Sequence, residues 1–140
     1  MLNKMTPVAA LLVLISFNVM ADGIAIEPGN WEMTTTMNMP MLSQPKVNTI
    51  TECMDKSEIT PETLTDEMDS GCVFDARVVD GNTMKWSMDC EADGGSSRGE
   101  WEATSFGDTL TGSGTITIDV QGQTMEMLMS WEGKRTGDCS

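Results

Sequence analysis

The sequence predicts a mainly β domain: an antiparallel meander of about seven strands forming a curled sheet or partly open barrel, with one short helical insert. A two-sheet sandwich is the alternative architecture. Three observations carry this expectation. Most of the chain beyond residue 30 alternates apolar and polar side chains with period two, as half-buried strands do. Turn signals built on glycine, Asp80-Gly81-Asn82, Gly107-Asp108 and Gln121-Gly122-Gln123, recur between the alternating runs. Four cysteines stand in a chain with no histidine, a pattern that suits staples better than ligands or nucleophiles.

Residues 1–21 read as an export signal. Lys4 and the amino terminus make a positive start, residues 7–17 (PVAALLVLISF) are apolar, and Val19-Met20-Ala21 offers short side chains for signal-peptidase cleavage after Ala21. The apolar run is about half the roughly 20 residues that span a bilayer. No Leu-x-x-Cys lipobox is present, since the first cysteine is Cys53. Cleavage leaves one domain, residues 22–140, with no transmembrane anchor and a net charge that moves from −14 to −15 on loss of Lys4. Such acidity repels nucleic acid and anionic headgroups. The expected localisation is the periplasm, or secretion.

The first strand runs over residues 31–39, with Trp31, Met33, Thr35, Met37 and Met39 on one face. Residues 40–45 form a loop between two prolines, and 46–53 a second strand. Residues 55–68 read as the helical insert: Asp55 and Glu58 have capping-box spacing, and Thr60-Pro61 restarts a helix with proline in its first turn. Residues 72–80 and 82–90 form a hairpin folded about Gly81. That register sets Val78 opposite Met84, Ala76 opposite Trp86, Phe74 opposite Met88 and Cys72 opposite Cys90, all on one face. A fifth strand covers 97–106. The sixth covers 109–120 and carries Leu110, Gly112, Gly114, Ile116, Ile118 and Val120 on one side; the inward glycines permit a sharp bend. The seventh covers 124–131, where Met125, Met127, Met129 and Trp131 are expected in the core. Gly29-Asn-Trp-Glu-Met-Thr34 echoes Gly99-Glu-Trp-Glu-Ala-Thr104, which reads as a recurring strand pattern with tryptophan inward and glutamate outward.

The hairpin register favours a Cys72–Cys90 disulfide, which leaves Cys53 with Cys139. The competing connectivity, Cys53–Cys72 with Cys90–Cys139, would clasp the helical insert, and sequence alone leaves both open. A four-cysteine zinc site lacks the close cysteine pairs such sites use.

Methionine is the compositional outlier: eleven of fourteen lie beyond residue 21. Met37, Met39 and Met41 are the candidate soft-metal ligands, since thioethers suit Cu(I) and Ag(I), with core packing as the simpler role. Met33, Met37, Met84, Trp86, Met88 and Met127 would line the apolar face and could form a soft cavity. Glu32, Glu102 and Glu132 each follow a tryptophan and are expected on the solvated face. Histidine and tyrosine are absent, which excludes His-based triads and tyrosine acids. The expectation is a non-catalytic exported domain without a cofactor, binding an apolar small ligand, a lipid or an envelope partner, with soft-metal binding as the alternative.

Several motifs, in order, resemble the bacterial domain-of-unknown-function family 3617. They are Pro28-Gly-Asn-Trp-Glu32, Met37-Asn-Met-Pro-Met41, Cys53 before the insert, Cys72 and Cys90 around a Gly-Asn hairpin, and Gly133-Lys-Arg-Thr-Gly-Asp-Cys139. Asn30 stands where the family usually has an apolar residue. The resemblance implies an exported, stapled β domain and attaches no activity to any residue.

Overall fold

Alternation is realised as one open sheet. The computed structural model describes residues 22–64 and 71–140. Its elements are β1 (Ile24–Ala25), β2 (Gly29–Asn38), β3 (Lys46–Met54), β4 (Glu58–Ile59), α1 (Pro61–Leu64), β5 (Cys72–Asp80), β6 (Thr83–Ala92), β7 (Gly95–Ser105), β8 (Thr109–Val120) and β9 (Gln123–Gly137). Seven strands form an antiparallel sheet in the order β3-β2-β9-β8-β7-β6-β5. The chain therefore meanders from β5 to β9, and β9 returns to pair with β2. β3 and β5 are unclosed edges, so the molecule is a curled meander and neither a barrel nor a two-sheet sandwich.

Turn chemistry explains the connections. Asp80 pairs with Thr83 around Gly81-Asn82, with Gly81 at φ 59°, the position a II′ turn gives to glycine. Val120 pairs with Gln123 around Gln121 (φ 52°) and Gly122 (φ 78°), the two positive angles of a I′ turn.

The hairpin register needs one correction. Cys72↔Cys90 and Phe74↔Met88 pair as expected, but a bulge between Asp75 and Val78 slips the remainder by one, giving Val78↔Lys85 and Val79↔Met84. The two-residue turn demands that slip, because it leaves Asp80 opposite Thr83 and not opposite Asn82. Val78 is consequently exposed and Val79 half-buried. The helical insert also differs. Residues 55–57 are irregular, and Glu58–Ile59 is a strand that pairs with β1 through Ile24↔Ile59. The helix begins at Pro61 after Thr60, whose backbone N–H donates to the Thr63 hydroxyl at 2.9 Å while Thr63 N–H donates back to the Thr60 hydroxyl at 3.4 Å. The remainder of the expected insert, and the export signal, lie outside the described residues.

Both staples are formed: Cys53–Cys139 and Cys72–Cys90, with Cα–Cα distances of 5.5 and 4.0 Å. Disulfides of this kind persist in oxidising, extracytoplasmic surroundings. Among the described residues no helix is long and apolar enough to cross a membrane.

The core sits on one face of the sheet and is strongest at one end. Trp31, Met33, Met84, Trp86, Met88, Trp101, Ala103, Leu110 and Trp131 are buried there, covered by Ile24, Ile26 and Ile59 of the small β1–β4 layer. That layer is fastened to the sheet by backbone: Ile26 bridges Gly107, Glu27 N–H donates to Gly107 O at 2.8 Å, and the Ser105 hydroxyl donates to Ala25 O at 2.5 Å. Toward the β8–β9 turn the cover gives out. Ile116 and Ile118 are half-buried, and Val120 and Met125 are exposed. Met125 is thus not a core residue, and Met127 and Met129 are only half-buried, because among the described residues no second layer lies over that end.

Candidate functional site

A groove of about 660 Å³ opens between the apolar face and the small covering layer. Its floor is Trp86 on β6, Trp101 on β7 and Trp131 on β9, with Met33 of β2 and Met129 of β9 beside them. Its cover is Ile26, Ile59 and Leu64, and its open side is β3, the following loop and the start of β4, with Ile50, Glu52, Met54, Asp55, Lys56 and Glu58. Strand alternation puts each floor residue inward. Strand order then makes Trp86 the cross-strand partner of Trp101, while Trp131 reaches them across the intervening β8.

Glycine makes that reach achievable. Gly112 pairs with Trp131 and Gly114 with Trp101, and a Cβ on either glycine would collide with the indole of its partner. The rings therefore lie against the β8 backbone where side chains would otherwise stand. Centroids are 6.3 Å apart for Trp86–Trp101, near-parallel at 16°, and 5.6 Å for Trp101–Trp131, tilted at 48°. These are ordinary spacings for attractive aromatic pairs.

The polar atoms of the cluster are less well served. Trp31, outside the groove, donates its indole N–H to Glu27 O at 3.0 Å. The indole nitrogens of Trp86, Trp101 and Trp131 are buried with no hydrogen-bond partner among the described residues. A buried donor without a partner costs about 1–3 kcal/mol, so these positions hold tryptophan where phenylalanine would fill space without that cost.

The helix end of the site is positioned by the β5 bulge. Bulges re-aim side chains, and here Arg77, one of the two residues set against a single partner position, reaches Glu62 of α1. Burial pushes the Glu62 carboxyl up, but its own backbone N–H, the Thr60 hydroxyl and the Arg77 guanidinium together hold it below its ordinary value.

Of the residues singled out from sequence, Met33 and Trp86 line the groove. Met84 and Met88 are buried in the core beside it, and Met37 and Met127 are half-buried farther along the same face. Met39 is half-buried and Met41 is 82% exposed, in the turn closed by Leu42 N–H donating to Met39 O at 3.1 Å. Glu32, Glu102 and Glu132 are exposed on the opposite face. Alternation alone did not bring out Trp101, Ile26, Ile59 and Leu64 as groove residues. The Trp-Glu pattern at 101 and 131 carried the signal for the tryptophans, since each repeats the inward-tryptophan arrangement of Trp31. Among the described residues no group of three or more acidic or cysteine side chains is arranged to hold a metal ion.

The family model described as protein of unknown function (DUF3617) matches residues 26–139. The chain belongs to the DUF3617 family. The match runs from Ile26 at the groove's cover to Cys139 of the Cys53–Cys139 staple, so the groove's described lining falls within the DUF3617 region. No curated protein and no solved structure matches the chain.

Proposed function

We propose that this chain is an exported, non-catalytic domain that binds an apolar small molecule in the groove over Trp86, Trp101 and Trp131. The observation that carries the reading is an opening of about 660 Å³ between the apolar face and the small β1–β4 layer over its core, within the roughly 300–1,000 Å³ of small-molecule sites. Its lining favours an adaptable fit: Met33, Met54 and Met129 carry flexible thioethers against rigid indoles. Export is supported by Lys4, the apolar run after it and Ala21, and by the two disulfides. The lack of histidine and tyrosine supports binding over catalysis.

Native mass spectrometry of the protein purified from its own periplasm tests this. The expected result is a chain beginning at Asp22, carrying both disulfides and a co-purified small molecule. Neutral N-phenyl-1-naphthylamine should also brighten on addition to ligand-stripped protein. A bare mass together with no dye response would sink the reading.

One observation favours a second reading, soft-metal binding at Met37, Met39 and Met41. Met41 is 82% exposed beside two half-buried thioethers, so it is not explained as core. Cu(I) titration should then be weakened at least ten-fold in Met39→Leu/Met41→Leu; unchanged affinity would remove that site.

A further inference from the structure

We infer that the groove's occupant is an organic cation, an alkyl-substituted quaternary ammonium whose head lies against the indoles of Trp86, Trp101 and Trp131. This rests on the groove being a ligand site and names the chemistry it selects. Two independent features point the same way.

The first is the floor. Three tryptophans line one groove, each at least nine-tenths buried. What tryptophan adds is the largest and most electron-rich ring face, the best of the side chains at attracting a cation placed within about 6 Å of the ring centroid. With centroids 5.6 to 6.4 Å apart, one trimethylammonium-sized group could touch more than one ring.

The second is the charge around the opening. Glu52, Asp55 and Glu58 line it against a single ammonium, Lys56. Among the described residues Arg77 pairs with Glu62, Lys85 with Glu102 at 3.1 Å, Arg98 with Asp89 at 3.3 Å and Arg135 with Asp138 at 2.5 Å, and neither these nor Lys46 and Lys134 line the groove. A fatty-acid carboxylate would enter against this field and meet no guanidinium in the groove. A quaternary ammonium carries no N–H to satisfy, so it can leave water for an aromatic surface at lower cost than a primary amine.

The test compares three probes with the same chain, decyltrimethylammonium, decanoate and decanol, each below its aggregation concentration, on the intact disulfide-bonded protein. Calorimetry gives affinity, and intrinsic fluorescence reports the floor directly, because the protein has no tyrosine and three of its four tryptophans line the groove. The expected order is the ammonium at least ten-fold tighter than decanol, with decanoate weakest. Glu52→Gln should lower the ammonium-to-decanol ratio several-fold, while Glu132→Gln on the opposite face should leave that ratio unchanged. Equal affinities for all three, or decanoate binding tightest, would overturn the cation inference and leave the apolar groove standing. Failure of all three to bind would overturn both. A ratio unaltered by Glu52→Gln and by Trp86→Phe, in variants with native circular dichroism, would also overturn it.

Discussion

At Gly112 a single methyl group separates a folded groove from a disrupted one. Its Cβ would meet the Trp131 ring, and the corresponding atom at Gly114 would meet Trp101. Covering a strand glycine with an aromatic from the neighbouring strand also protects its backbone, so each glycine and its ring act as one unit. Gly112→Ala should destabilise the protein by about 1–3 kcal/mol, the usual cost of overpacking, and should shift tryptophan emission. Gly81 makes the contrast. Nothing lies within 4 Å of a Cβ there, but φ is 59°. Gly81→Ala should therefore cost about 1–2 kcal/mol through left-handed strain alone, with emission unchanged. Urea titrations of both variants, followed by fluorescence and by circular dichroism, separate the two causes. If both variants shift emission equally, the ring–glycine account fails. The inward position of Gly112 and Gly114 was legible from alternation. Which ring fills each space was not, because that depends on β8 lying between β7 and β9.

Elements made from long alternating runs were readable in sequence; elements made by short pairings were not. β8 was legible end to end because twelve residues of unbroken alternation are closed by clear turns. The β5 bulge was hidden by Val78-Val79, two adjacent apolar residues that let either one face inward, so parity could not report the slip. β4 was hidden by Asp55 and Glu58, whose spacing imitates a helix cap while Ile59 pairs with distant Ile24. The bulge matters because it delivers Arg77 to Glu62 and so ties α1 to the sheet. Glu62 has a folded-state value held below its unfolded one, so its contribution to stability is present above the unfolded value and is lost as pH falls through the folded value. The Glu62 side chain is 51% exposed, and solvent screening keeps the pair below about 1 kcal/mol. Glu62→Gln should thus lower the urea midpoint slightly at pH 7, and the difference from the parent should vanish once the parent carboxyl is protonated. A difference that persists or grows in acid would assign α1's attachment to something other than this carboxylate.

For the whole molecule, the governing fact is that an open sheet has two edges and each edge carries a disulfide. Unpaired edges invite fraying and association with other chains, and both edges here add exposed apolar residues, Val47 and Ile50 on β3, Val73 and Val78 on β5. Cys72–Cys90 joins edge strand β5 to β6. Cys53–Cys139 joins edge strand β3 to the segment beyond β9, spanning β2, since Cys53 lies opposite Asn30 and Asn30 opposite Gly137. The two closures differ in length, with sequence separations of 18 and 86 residues. In the chain-entropy account the short one is worth about 3 kcal/mol and the long one about 4–5 kcal/mol. Paired cysteine-to-alanine variants should lose stability in that order, and the losses should be local before they are global. Hydrogen exchange followed by mass spectrometry should show β5 amides opening first without Cys72–Cys90, and β3 amides opening first without Cys53–Cys139. The β3 case bears on the groove, because Ile50 and Glu52 form its open side. Loss of Cys53–Cys139 should therefore weaken binding of a groove probe at urea concentrations where the sheet is still folded, whereas loss of Cys72–Cys90 should weaken it far less. Uniform exchange across all seven strands in both variants would show that the staples act on the unfolded chain alone and do not pin the edges.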